Sequence, residues 1–399
     1  MKHLFPGATG HFSLIQGCYW MTYCILISFS SLYLLDRGFT NTQIGLLLGV
    51  AGLTAAILQP FVGAKGDHLK VLSLRQFTSL PIAAMILCGV GLFLVPAKPV
   101  QAALYMVLLV LLQLLTPLIY SLGMDCLNNH IELNFGLARG IGGGTYALAS
   151  AVCGSLAAAL GARVIPLVLV VAVALMLAFT FTFRQGGPVK STLPKPDALP
   201  QSDGTPFLKK YPQVLPLLIG VILLYTSHNV IMNFPYQIVR SLGCGSAEMG
   251  HYLTLQSLMD IPAMVVFSLL LKRASSRAWV RLTGISFFLH ALLTWLAPNL
   301  PFLMVVQVFE MSGYALYSVS SVYFVNEMVD LCDRVQGQTY FTMANTIGIV
   351  LSSVLGGRLL DLGGASAALC LATVTGAAGM VILWILLRRK SLRPATNAA

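Results

Sequence analysis

"RQGGPVKSTLPKPDALPQSDGTPFLKKY", residues 184–211, is the one long polar stretch in this chain, and its position decides the fold class. Rich in Pro, Gly and charge, it has too little apolar surface to bury and reads as a linker. The sequence on either side is of the opposite kind. Over 399 residues, 57% are hydrophobic and only 9% are charged, with a mean hydropathy of +0.82. A soluble domain carries about 25% charged residues. Long uncharged runs are membrane spans, each needing roughly 20 apolar residues to cross about 30 Å of hydrocarbon.

Twelve such runs are expected, near 12–34, 43–63, 75–95, 100–124, 139–160, 164–183, 212–236, 247–271, 279–297, 300–325, 338–358 and 365–387. Six precede the linker and six follow it. The predicted fold is therefore an all-α integral membrane protein of twelve transmembrane helices. Its expected parts are a six-helix bundle at 1–183, a cytoplasmic linker at 184–211 and a second six-helix bundle at 212–399.

The net charge of +11 would suggest nucleic acid on a soluble domain, but its distribution excludes that reading. With both termini in the cytoplasm, only Arg37, Lys98, Arg163, Arg240 and Arg358 of the 24 Lys and Arg fall outside, leaving 19 within. Positive charge resists translocation, so the excess orients the chain in a cell (inner) membrane. The expected partners are lipid, a small solute and protons, with no nucleic acid. The eight cysteines are scattered without a CxxC pair and read as small buried hydrophobes; no metal set and no cofactor is expected. The first run is too long for a signal-peptide core, so it is expected to be retained.

The halves resemble each other. "GFTNTQIG" from Gly38 matches "GCGSAEMG" from Gly243, a shift of 205, and "SAVCGSLAAALG" from Ser150 matches "SSVLGGRLLDLG" from Ser352, a shift of 202. Duplication in a polytopic chain implies two pseudosymmetric bundles with the substrate near the midplane, the plan of a carrier.

Twelve spans in this 6+6 plan resemble the major facilitator superfamily over the whole chain. "GAKGDHLKVLSLR" from Gly63 is similar to that superfamily's loop signature, with Gly63 and Asp67 at the matching positions and Lys70 and Arg75 as looser basic residues. "FGLAR", ending in Arg139, is similar to the run opening the fifth helix of the lactose permease branch; related phenylpropionate-type permeases carry a variant. The resemblance implies that Asp125 is the acid paired with a cation, Arg139, beside the substrate, and that Tyr146 is the stacking aromatic. A tyrosine in place of tryptophan, and "GIGGG" after the arginine, depart from that branch and weaken a galactoside reading. Independently, a guanidinium near hydrocarbon is costly unless paired or wet, and its planar fork suits a carboxylate or sugar hydroxyls. A topological arginine and a helix-capping aspartate remain the plainer alternative.

In the second half, Asp260 in "LQSLMDIPAMVVF" lies inside a span, with Gln256 four residues earlier on the same face. A membrane acid without a nearby cation can hold its proton, as coupling requires. Glu310 in "VVQVFEMSGYALYSVSSVYF" shares a stripe with Gln307, Tyr314 and Tyr317 and is the other candidate for the proton. His228, Asn229 and Asn233 suggest a polar lining; His290 reads equally as packing or relay. The stripe Gln16, Tyr19, Trp20, Tyr23 reads as packing or as a substrate platform. Gly140 and Gly144 suggest close helix packing.

No zincin, hydrolase-elbow or phosphate-loop motif is present, so an enzyme is not expected. The expected function is proton-coupled symport of a small polar solute such as a sugar, nucleoside or aromatic acid. Two rivals stand beside it. One is a proton-exchanging exporter, disfavoured by the absence of proline in "RGIGGGTYALASAVCGSLAAALG"; the other is a non-transporting membrane sensor.

Overall fold

The computed structural model describes residues 7–67, 73–128, 131–183, 206–270, 274–330 and 333–388, and every regular element among them is helical. Gly7–Tyr23 (α1) continues through a wide π-type turn at Cys24–Ser28 and, after a 49° bend, into Ser30–Asp36 (α2). Asn41–Asp67 (α3), Leu74–Leu94 (α4), Lys98–Asn128 (α5), Phe135–Leu160 (α6) and Ile165–Thr182 (α7) follow. Beyond the linker come Phe207–Lys210 (α8), Val214–Asn233 (α9), Pro235–Ser241 (α10), Ser246–Leu270 (α11) and Ser276–Trp295 (α12). The next span is assembled from Leu300–Val306 (α13), Val308–Glu310 (α14), a second π-type turn at Met311–Ala315 and Leu316–Met328 (α15); Arg334–Arg388 (α16) ends the described chain.

Eight described helices are long and apolar enough to cross a membrane alone, and the bent pair α1–α2 makes nine. At about 1.5 Å per residue, the 55 residues of α16 would reach roughly 80 Å, far beyond one bilayer. Non-helical Gly363 and Gly364 (φ −142° and 66°) break it into two spans. Ten spans are thus counted among the described residues, and α11 and α12, of 25 and 20 residues, are long enough for two more. Helix ends differ from the expected ones by at most five residues, most at the start of the first (12 expected, Gly7 found).

Polar residues left between the apolar runs serve the helix ends. Ser73 Oγ accepts from the Gln76 amide while Gln76 Oε1 accepts from the Ser73 amide, a capping box at α4. Asn134, Ser275 and Asn299 likewise cap α6, α12 and α13 through the third amide of each. Pro60, Pro81, Pro117 and Pro262 lie inside helices, as membrane spans tolerate.

The two repeated octapeptides fold alike. Gly38 (φ 76°) and Gly243 (φ 77°) both stand in the left-handed region after a seven-residue helix. The amide of each glycine bonds the carbonyl three residues back, and the following amide bonds the one five back (Phe39 to Leu34, Cys244 to Val239). This is the Schellman closure, which favours glycine because the left-handed region penalises a Cβ.

The helices gather into two compact units, Met1–Thr192 with Asn233–Leu258, and Leu193–Met232 with Met259–Ala399. In the first, α1 packs on α6 and α7, and α5 on α3 and α4. Tyr33 donates to Gln101 Oε1 (2.6 Å), and Tyr105 donates to Leu26 O (2.8 Å) within the π-type turn. Gly154 of α6 and Gly250 of α11 bring backbones together: a Cβ on Gly154 would lie 2.6 Å from Ser246 O and 2.8 Å from the Gly250 Cα. The expected packing glycines Gly140 and Gly144 have no neighbour within 4 Å of where a Cβ would sit; Gly142 between them takes the contact, against the Trp20 indole. Two residues' rotation of the helix, about 200°, separates these faces. In the second unit, α12 packs on α15 and α16 around Val221, Leu224, Phe287, Tyr317 and Phe324. Near its α8 end, Lys210 Nζ donates to Asp333 Oδ2 (2.7 Å) and lies 3.2 Å from Asp330, and Tyr211 Oη donates to both aspartates (2.9 Å each).

Candidate functional site

Two polar clusters stand out, one in each unit. In the first, Arg139 lies in the second turn of α6, started by the Asn134 cap. It is exposed; its Nη1 donates to Tyr120 Oη (2.6 Å), and its guanidinium sits 5.6 Å over the Trp20 ring. Trp20 meets Tyr19 and Tyr23 at 5.6 and 5.3 Å between ring centres, and Tyr19 shares a 2.6 Å bond with Thr116. Spans one, four and five thus set a cation against Trp20 and Tyr120, with Tyr19 and Tyr23 packed on Trp20. The expected stripe of span one does face this group, and Tyr120 is the member that sequence reasoning missed.

The other expected members are placed separately. Asp125 is half-buried on α5, five residues beyond Tyr120. Tyr146 is buried and shares a 2.6 Å bond between its hydroxyl and Ser28, in the π-type turn of the first span. Gln256 is buried on α11 beside Ser257 and Thr254, whose hydroxyls donate to Gly143 O (2.9 Å) and Ala147 O (3.0 Å) of α6. Asn229 is half-buried on α9 and donates to its own helix at Tyr225 O (2.9 Å). Of the signature loop, Gly63 and Asp67 belong to the last turns of α3; their surroundings and Lys70 lie outside the described residues. Arg75 is described: its Nη1 donates to Phe183 O (3.2 Å), an end carbonyl of α7, where cations are favoured.

In the second unit, Glu310 ends α14 immediately before the π-type turn and is 1% exposed. His228 of α9 and His290 of α12 flank it, 4% and 1% exposed. His290 Nδ1 lies 3.3 Å and His228 Nδ1 3.5 Å from the same carboxylate oxygen, Oε2. The His228 ring stacks on Tyr314 at 4.8 Å with 5° between planes, and Phe287 and Tyr225 stand edge-on to it. The stripe of Glu310, Tyr314 and Tyr317 is expected from the sequence; the two histidines as partners of the acid are not. Gln307, also buried, turns back to Leu303 O (3.2 Å). Asp260, the other expected proton carrier, is half-buried on α11.

A chain of membrane-spanning helices with a duplicated plan and buried ionisable groups has the build of a transporter. The chain belongs to the MFS_1 like family, whose model matches residues 13–370. No curated protein sequence matches it significantly. Its fold is that of solved transporters. A mutant of the nucleoside transporter NupG is similar at TM-score 0.79 and 14% identity, covering 96% of this chain and 99% of that one. A bacterial homologue of the iron transporter ferroportin, in an inward-facing state, is similar at 0.70 and 14%, with the same coverage. An auto-inhibited POT family peptide transporter is similar at 0.69 and 10%, covering 99% of each.

Proposed function

We propose that this transporter is a proton-coupled symporter that takes up a small ring-bearing polar solute, a sugar, a nucleoside or an aromatic acid. The observation that carries the reading is the Arg139 cluster. A guanidinium fork offers paired hydrogen bonds to hydroxyls or a carboxylate, and the half-buried Trp20 and Tyr23 offer faces against which a ring can stack. Arg139 is exposed and spends its bond on Tyr120, a neutral partner that a solute oxygen can replace without stranding a charge. Asp125, Tyr146, Asn229 and Gln256 are proposed to complete the solute's polar contacts. The lactose permease resemblance of "FGLAR" and the nucleoside transporters among the similar folds support this solute class.

The coupling proton is assigned to Asp260 or to Glu310. Glu310 carries the stronger geometric support, because the Nδ1 atoms of two imidazoles lie 3.3 and 3.5 Å from its carboxylate and can pass a proton to or from it. The bias of Lys and Arg supports a cell (inner) membrane with both termini in the cytoplasm, and the 1–183 and 212–399 bundles are proposed as the two moving halves. The test is uptake of labelled solute into proteoliposomes with the outside acidified relative to the lumen. Accumulation above equilibrium that collapses with a protonophore supports the reading; accumulation only when the gradient is reversed would establish export instead.

A further inference from the structure

We propose that His228, His290 and Glu310 form a binding site for a divalent cation of the zinc class. The three donors come from α9, α12 and α14, and one ligand atom from each lies within 4.8 Å of the others. Two of the separations are diagnostic. The Nδ1 to Oε2 distances of 3.3 and 3.5 Å exceed the roughly 2.7–2.9 Å of a charge-assisted hydrogen bond. They match the edge of a tetrahedron, about 3.3–3.4 Å when metal–ligand bonds are about 2.0–2.1 Å. The two imidazoles thus present nitrogens to one carboxylate oxygen at the spacing that a shared cation requires.

The donor set selects the ion. Calcium and magnesium ask for six or more oxygens, and only one carboxylate is offered. Two imidazoles and one carboxylate suit zinc and its first-row neighbours, and two His with one Glu is a recurrent zinc set that leaves a fourth position open. The surroundings hold the ligands still: His228 is fixed by stacking on Tyr314, and Phe287 and Tyr225 close its edges. All three ligands are almost fully buried, so a cation here is shielded from competing water and joins three spans of one unit. The inference rests on this geometry and not on the transport reading; a bound cation would hold Glu310 deprotonated and leave the coupling proton to Asp260, so the two can fail separately.

The experiment uses the purified full chain in detergent, without solute or gradient. After loading with Co2+ or Zn2+ and exhaustive dialysis, one retained equivalent per chain is expected. Cobalt should show the intense visible bands of a four-coordinate ion, abolished by added zinc. Zinc X-ray absorption should show imidazole nitrogen and oxygen at about 2.0–2.1 Å and no sulfur. His290→Asn and Glu310→Gln should each reduce retained metal to background, while Asp260→Asn keeps it. No retained metal in the wild type, a sulfur-containing shell, or an equivalent that survives both ligand variants would overturn the proposal. Should the ligand variants fail to fold, the wild-type shell decides alone.

Discussion

Replacing Arg139 by lysine keeps a positive charge on the same face of α6 and removes the planar fork. In the structure the guanidinium makes one 2.6 Å bond to Tyr120 and stacks 5.6 Å over Trp20. A solute held by the fork receives two parallel bonds where an ammonium gives one. The loss is then one charged hydrogen bond, about 1.5–3 kcal/mol. At about 1.4 kcal/mol per factor of ten, that is a roughly tenfold to hundredfold rise in the half-saturation concentration. Stacking over Trp20 adds about 0.5–1 kcal/mol at an exposed site and pushes toward the upper end. The assay is the concentration dependence of counterflow exchange in proteoliposomes, which needs no coupling and so isolates binding. Trp20→Phe should retain most of the affinity and Trp20→Ala should not. A lysine variant whose half-saturation stays within about twofold of wild type would refute the assignment of Arg139 to the solute.

Other parts of the structure give equally direct expectations. Asp260→Asn or Glu310→Gln, whichever removes the proton carrier, should abolish uphill uptake while counterflow survives; coupling intact in both would remove the proton sites proposed here. Gly154→Ala places a methyl 2.6 Å from Ser246 O, so α6 and α11 must part by about 0.8 Å to restore a 3.4 Å contact. Overpacking of this kind costs about 1–3 kcal/mol, read as a lower melting temperature in detergent; an unchanged melting curve would contradict the contact. Lys210→Met leaves the buried Asp333 carboxylate without its 2.7 Å donor and should cost about 1.5–3 kcal/mol. The hydrogen bond to Asp333 raises Lys210 above the ordinary lysine value, so its contribution is complete below about pH 10.4 and fades only as pH climbs through the raised value. The stability gap between wild type and Lys210→Met should therefore stay flat from about pH 6 to pH 9 in melting curves; a gap that closes inside that window would refute the network.

The spans were legible because each problem was local. A run of apolar residues long enough for the bilayer has one solution, and Ser73, Asn134, Ser275 and Asn299 mark ends with side chains that satisfy the first amides. The duplication was legible from Gly38 and Gly243, since a left-handed turn selects glycine in both halves. The glycine contact between helices was harder. Gly140, Gly142 and Gly144 differ only in which way α6 is rotated, and rotation depends on what packs against the helix. The aromatic stripe of span one was readable from its spacing, but its joining to Arg139 through Trp20 depends on how α1 lies against α6. The acid–histidine cluster was least readable. His228, His290 and Glu310 are 62 and 20 residues apart, on three helices, and nothing in the local pattern of any one points to the other two. The π-type turns at Cys24–Ser28 and Met311–Ala315, beside Tyr146's partner Ser28 and beside Glu310, have no sequence signature either; such turns recur at functional positions.

The measurement closest to the central claim is the pH outside vesicles of known orientation when a solute is added without any imposed gradient. A panel of glycosides, nucleosides and aromatic acids supplies the candidates, and Glu310→Gln and Asp260→Asn vesicles serve as controls. External alkalinisation with one solute class is predicted, lost in the variant of the proton carrier, because each molecule entering takes a proton with it. Acidification on addition of the transported solute would contradict symport and make the protein an exchanger.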